Sequence, residues 1–130
     1  MRLLPALVCC SLAAPVFAAT HTVDVGPGMS FAPAVLTIAV GDTVKFTNHG
    51  GLHNAKADDN SFRCAHGCDG DGHGGNGAAS YDIWFANHTF NTVGTIGYYC
   101  ETHGTATAGM RGTIIVLPTT PVELQSFRVD

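Results

Sequence analysis

Val35-Leu36-Thr37-Ile38-Ala39-Val40-Gly41-Asp42-Thr43-Val44-Lys45-Phe46-Thr47 decides the fold class. Two runs rich in β-branched residues flank Gly41-Asp42, a turn signal, and in the second run Val44 and Phe46 fall on one face. Alternation with period two marks a strand with one buried face, so the segment reads as two strands joined by a tight connection. Upstream, Thr22-Val23-Asp24-Val25 alternates and stops at Gly26-Pro27-Gly28. Downstream, Tyr81 to Phe85, Asn87 to Thr92, Thr95 to Tyr99 and Gly112 to Leu117 read as strands at a spacing that suits a sandwich or barrel. Helical periodicity is scarce after residue 20 and no fixed-period repeat is present, so the expected class is all-β.

Between Asn60 and Ser80 the alternation breaks down, with six glycines among the eleven positions from Gly67 to Gly77. This segment is expected to be a long irregular loop and not a strand. The first 18 residues hold one charge, Arg2, an apolar run from Leu3 to Val8 and a small-residue Val16-Phe17-Ala18 ending. That pattern, interrupted by Pro5 and Pro15, reads as an export signal with the mature chain starting at Ala19, or at Thr20 as second choice, and not as a membrane span. One domain, residues 19–130, is expected to remain, with a core over 19–117 and a surface tail over 118–130.

The mature chain has five basic and ten acidic side chains and no basic cluster, which argues against nucleic acid and anionic membrane partners. Cys9 and Cys10 leave with the signal, so Cys64, Cys68 and Cys100 remain. An odd number in an oxidising compartment implies one disulfide and one thiol with another task.

Chemistry concentrates in Tyr98-Tyr99-Cys100-Glu101-Thr102-His103-Gly104-Thr105-Ala106-Thr107-Ala108-Gly109-Met110-Arg111-Gly112-Thr113. A thiolate, an imidazole and a thioether lie on one expected loop between two strands, spaced so that they converge on one ion. A second imidazole from elsewhere would complete a His2Cys set with a weak axial Met, the donor set of a blue-copper electron-transfer site. His53, just past the expected end of the Thr43–Thr47 strand, is the candidate. For each residue there is a plainer alternative: a buried Cys as a small hydrophobe and a buried Met as core filler.

These segments, with Phe31-Ala32-Pro33, Val40-Gly41-Asp42-Thr43-Val44 and His53-Asn54, resemble the cupredoxins, and among them the bacterial plastocyanin-like secreted proteins, from about Met29 to Leu117. The resemblance implies a single-domain cupredoxin-like Greek-key β-sandwich with a Gly-rich insertion. It also implies one mononuclear type 1 copper ion held by His53, Cys100, His103 and Met110, and a one-electron carrier cycling between Cu(I) and Cu(II). One departure stands out: the six residues Gly104 to Gly109 make a longer interval between His103 and Met110 than such loops usually have. Asn54 is expected to support the ligands by tying the two ligand segments together. His49 competes with His53 but is followed by Gly50-Gly51 and no Asn, and is read as an exposed loop residue.

Cys64 and Cys68, with His66 between and His73 beyond, are read as a disulfide restraining the Gly-rich segment, with a second metal site at Cys64, His66, Cys68 and His73 as the alternative. A binuclear copper centre fails on position, because both cysteines of such centres sit before the last strand, where Cys100 and His103 already lie. Asp69-Gly70-Asp71-Gly72-His73-Gly74 starts like a calcium loop, but Ser80 stands where a bidentate Glu belongs. Asn87-His88-Thr89 matches a glycosylation triplet without deciding anything. Cys100 is flanked by Tyr99 and Glu101, without the adjacent His that links blue copper to a second site in copper oxidases and nitrite reductases, so enzymatic activity is not expected. The expected product is a monomeric periplasmic or secreted protein that exchanges electrons with redox partners such as a cytochrome or oxidoreductase. The alternative is a periplasmic copper-binding protein for storage or delivery without redox cycling.

Overall fold

Val35–Ala39 and Thr43–Asn48 both form strands, but Gly41-Asp42 between them carries the chain from one sheet to another. The structure is a computed structural model describing residues 17–118, so most of the expected export signal and all but the first residue of the expected tail lie outside the described residues. Within that range there are ten strands: β1 Thr20–Val25, β2 Phe31–Ala32, β3 Val35–Ala39, β4 Thr43–Asn48, β5 Ala55–Ala57, β6 Arg63–Ala65, β7 Gly67–Cys68, β8 Phe85–Thr89, β9 Gly94–Thr105 and β10 Ala108–Leu117. One sheet runs β2-β1-β4-β8 and the other β3-β10-β9-β5-β6-β7. The β1–β4 and β3–β10 pairs are parallel and the remainder antiparallel, giving the expected all-β sandwich of the cupredoxin type with two mixed sheets.

The core follows from the alternation that identified the strands. Val23 and Val25 of β1, Val44 and Phe46 of β4 and Ala86 of β8 face Ile38 of β3, Tyr98 of β9 and Ile114 and Val116 of β10, all buried. An aromatic cluster fills the middle: the Tyr98 ring lies 4.7 Å from Phe31 and 5.4 Å from Phe46, and Phe62 stacks on Phe46 at 5.7 Å. Burial pushes the Tyr98 phenol well above its ordinary range, so it stays neutral and serves as packing.

Three local expectations are corrected. The segment from Asn60 to Ser80 contains β6 and β7, a ribbon closed by the Cys64–Cys68 disulfide with Cys64 opposite Cys68 in register. Its glycines hid these strands: Gly67 lies within β7 itself, and the paired stretches are only three and two residues long. The strands expected over Tyr81 to Phe85 and Asn87 to Thr92 are one strand, β8. The Asn48 backbone N–H still continues the β4–β8 pairing to the Trp84 carbonyl at 2.9 Å, but the Asp82 carbonyl accepts from the Asn48 side chain at 2.9 Å, so the chain leaves the ladder there. Lastly, the expected loop carrying Cys100, His103 and Met110 is the end of a long hairpin, β9–β10.

Candidate metal centre

The β9–β10 hairpin sets the spacing of the downstream candidates. Gly104 pairs with Gly109 and Thr105 with Ala108 across a two-residue turn, so the interval from His103 to Met110 is strand, turn and strand. The register then slips: between the couples Gly104–Gly109 and Tyr99–Arg111, β9 bulges with four residues, Cys100 to His103, against Met110 alone on β10. Gly109, facing the start of this bulge, adopts φ +84°, a left-handed conformation that a side chain would strain, and a Cβ there would collide with the His103 carbonyl. The bulge puts Met110 inside, at 2% exposure, whereas both of its sequence neighbours are more exposed.

His53 enters from the other side. It follows β4 and makes a two-way backbone bridge to Ser80, with His53 N–H to the Ser80 carbonyl at 3.3 Å and Ser80 N–H to the His53 carbonyl at 3.1 Å. Asn48, fully buried, clamps the turn: its amide donates to the Gly51 carbonyl at 3.1 Å and its oxygen accepts from Gly50 N–H at 3.2 Å. The glycines let this turn close over the ring, since a Cβ on Gly51 would collide with His53 Nε2.

Three donor atoms meet. His53 Nδ1 lies 3.2 Å from His103 Nδ1, and each is 3.7 Å from Cys100 Sγ. A triangle with these edges has a centre about 2 Å from every corner, the length of a metal bond to imidazole nitrogen or thiolate sulfur. The residues therefore fit a single soft-to-borderline ion. Cys100 is completely buried and His103 half-buried, so the centre opens to solvent on the His103 side. Burial, reinforced by the neighbouring His103, pushes the His53 imidazole below its usual range, and it is neutral, the form that can donate a lone pair to a metal.

Asn54 joins the two halves. Its oxygen accepts from Glu101 N–H at 2.9 Å, while its amide donates to the Gly77 carbonyl at 2.9 Å and to the Glu101 carboxylate at 2.6 Å. Glu101 also takes Arg63 at 2.7 Å and Lys56 at 3.4 Å, and Arg63 reaches Asp69 at 3.1 Å. Burial raises the Glu101 carboxyl, but the bonds from Arg63 and Asn54 outweigh it and hold the group below its ordinary range.

The remaining candidates fall elsewhere. His49 is exposed and bonded to Asp24 at 2.8 Å. His66 points to Asp82 at 3.0 Å, and the alternative metal site at Cys64, His66, Cys68 and His73 does not assemble. The histidine that approaches the disulfide is His88, packed between Phe62 and Phe90. Asp69 and Asp71 accept backbone N–H groups of Gly77, His73 and Gly75, so these carboxylates organise the loop. Sequence reasoning passed over Asn48, Glu101 and Arg63. An Asn at a strand end before Gly-Gly was a usable signal for the first, whereas the other two meet only through the sheet.

The plastocyanin/azurin family model of copper-binding proteins matches residues 18–117. Plastocyanin of Scenedesmus fuscus is 36% identical over 87 residues, covering 66% of this chain and 85% of that protein. Chloroplastic plastocyanin of Tetradesmus obliquus is 37% identical over 87 residues, but the match spans only 57% of that protein's length. Among solved structures, amicyanin of Paracoccus versutus superposes with TM-score 0.52 at 25% identity, over 80% of this chain and 85% of that one.

Proposed function

This chain belongs to the plastocyanin/azurin family of copper-binding proteins, and from that premise we propose that it is an exported one-electron carrier whose copper ligands are His53, Cys100, His103 and Met110. The observation that carries the reading is the triangle of His53 Nδ1, His103 Nδ1 and Cys100 Sγ, with edges of 3.2, 3.7 and 3.7 Å. When bound, copper supplies the electron by passing between Cu(II) and Cu(I), a change that two imidazoles and two sulfurs accommodate.

The chain's own part is to hold the donors still. Cys100 and His103 ride on the bulged part of β9, Met110 faces them from β10 of the same hairpin, and His53 is fixed by the Ser80 bridge and the Asn48 clamp. Asn54 locks one half to the other. Donors that do not move between oxidation states lower the reorganisation that transfer requires. His103, which is half-buried, is the proposed port, with half-buried Gly51 and Leu52 and exposed Ala106 and Ala108 proposed as the uncharged surroundings on which a partner settles.

Residues 1–18 are proposed to direct export to the periplasm or beyond, leaving residues 19–117 as the working domain and 118–130 as a tail. The donor and acceptor are then redox proteins, and the acidic balance favours a partner with a basic face. Cys100 has Tyr99 and Glu101 as neighbours, which supports transfer without catalysis.

The test is the visible spectrum of the Cu(II)-loaded protein before and after ascorbate, beside Cys100→Ser. An intense thiolate-to-copper band that bleaches on reduction and is missing from the variant is expected. A pale protein that still binds Cu(I) tightly would replace the carrier with a storage or delivery protein.

A further inference from the structure

At the end of the sandwich where β3 turns into β4, Asp42 is 4% exposed, yet three donors converge on its carboxylate. Oδ1 accepts the backbone N–H of Ala19 at 2.9 Å; Oδ2 accepts Nε2 of His21 at 2.8 Å and the N–H of Ala39 at 3.1 Å. Ala19 is itself fixed, its carbonyl accepting Thr43 N–H at 2.9 Å as a continuation of the β1–β4 pairing. Burial alone would raise the Asp42 carboxyl, but these bonds outweigh it and hold the group below its ordinary range, so it is an anion at neutral pH. The only other titratable side chain bonded to it, among the described residues, is His21, a cation only when protonated.

The nitrogen facing this buried anion belongs to Ala19, the residue that directly follows the small-residue cleavage pattern. We propose that hydrolysis of the Ala18–Ala19 bond turns that nitrogen into an α-ammonium seated on Asp42, so that export processing completes a buried ion pair and tightens the mature fold. A signal peptidase supplies the active site and water the second reactant: hydroxide goes to the Ala18 carbonyl, which leaves as a carboxylate, and the amine stays on Ala19 and takes up protons. One N–H donor becomes three, and a hydrogen bond with charge on the carboxylate alone becomes an ion pair with charge on both partners. Residues on both sides of the seam gain from it, because Asp42 directly precedes β4 and Ala19 directly precedes β1.

The inference rests on the export reading and is independent of copper. Its test separates the two. Intact mass and N-terminal sequencing of the exported protein are expected to give a chain starting at Ala19; a chain that keeps residues 1–18 would overturn export, and one starting at Thr20 or later would overturn capture alone. The mature chain is then compared with the same chain acetylated at Ala19, which keeps the N–H, Asp42 and His21 but removes the charge. The acetylated form is expected to have an unfolding constant larger by roughly tenfold at neutral pH, equivalent to an amine titrating about one unit above its usual 7.7–8.0. Because the folded amine is raised, the difference is complete below that range and disappears as pH rises through the shifted value. NMR titration of the amine reads the same quantity directly, and Asp42→Asn is expected to return it to the ordinary range. Equal unfolding of free and acetylated chains, or an amine titrating near its usual value in the wild type, would refute the capture.

Discussion

Cys100 and the Cys64–Cys68 pair sit in the same sheet, buried, on strands β9, β6 and β7. Ala55 of β5 pairs with Cys64, and Lys56 beside it pairs with Tyr99 beside Cys100, so the three sulfurs line up across the strands. Both places have a histidine within reach: His53 and His103 at one, His88 at the other. They differ in chemistry because Cys64 meets a second thiol directly opposite, whereas Cys100 meets two imidazole nitrogens and no second sulfhydryl. Residue type and burial are shared; which donor each sulfur meets decides between cross-link and metal ligand.

The strongest way to break this comparison is Cys100→Ser. It is expected to abolish the charge-transfer band while leaving the far-ultraviolet β signature, because the hydroxyl replaces the sulfur at a position where the backbone pairing is unchanged. Retention of an intense band would move the ligand role to another sulfur.

Asn54→Ala comes next. It removes the link between the two ligand segments and strands the Glu101 N–H and Gly77 carbonyl, and a loss of about 10–100-fold in copper affinity is expected by competition with a chelator. Unchanged affinity would mean that the ligand segments hold their positions without it.

The double change Cys64→Ser with Cys68→Ser sharpens the contrast from the other side. The bridge closes a short ring, worth about 2 kcal/mol by chain entropy, so thermal unfolding is expected to fall by about 8–16 °C while the visible spectrum keeps its shape. A shifted band would show that the ribbon bears on the ligands through β5.

Acid should act away from both cysteine sites. Asp42 has a folded pKa below its unfolded one, so its contribution is present above the ordinary carboxylate range and is lost as pH falls through the depressed value. Asp42→Asn is expected to flatten that part of the stability profile measured by denaturant titration between about pH 5 and pH 2. Smallest of all, Lys56→Met removes a 3.4 Å contact to Glu101 at the surface, and a change below about 1 kcal/mol is expected.

Much of this was legible in the chain. The alternation of Val44 and Phe46, the Cys100-x-x-His103 spacing and the His53-Asn54 pair each depend on residues close in sequence, where periodicity and spacing carry information. The disulfide was legible from cysteine arithmetic in an expected oxidising compartment. What stayed hidden depends on partners far along the chain. β6 and β7 become strands because Ala55 and Cys68 lie beside Cys64, and the chain before Trp84 leaves the ladder because the Asn48 side chain takes the Asp82 carbonyl. His88 reaches the disulfide only through the stacking of β8 on the ribbon, a contact that no local pattern announces.

The β9–β10 hairpin gives the interval between His103 and Met110 a parity. Residues come in opposed couples, Gly104 with Gly109 and Thr105 with Ala108, so a couple can be added or removed at the tip without turning any remaining side chain over. A single insertion at the tip would force the two-residue turn into another form; a double one would keep that turn and only lengthen the finger that projects beside His103. Variation among such chains is therefore expected in even steps, each resizing the rim a partner must fit while leaving the ion's surroundings untouched.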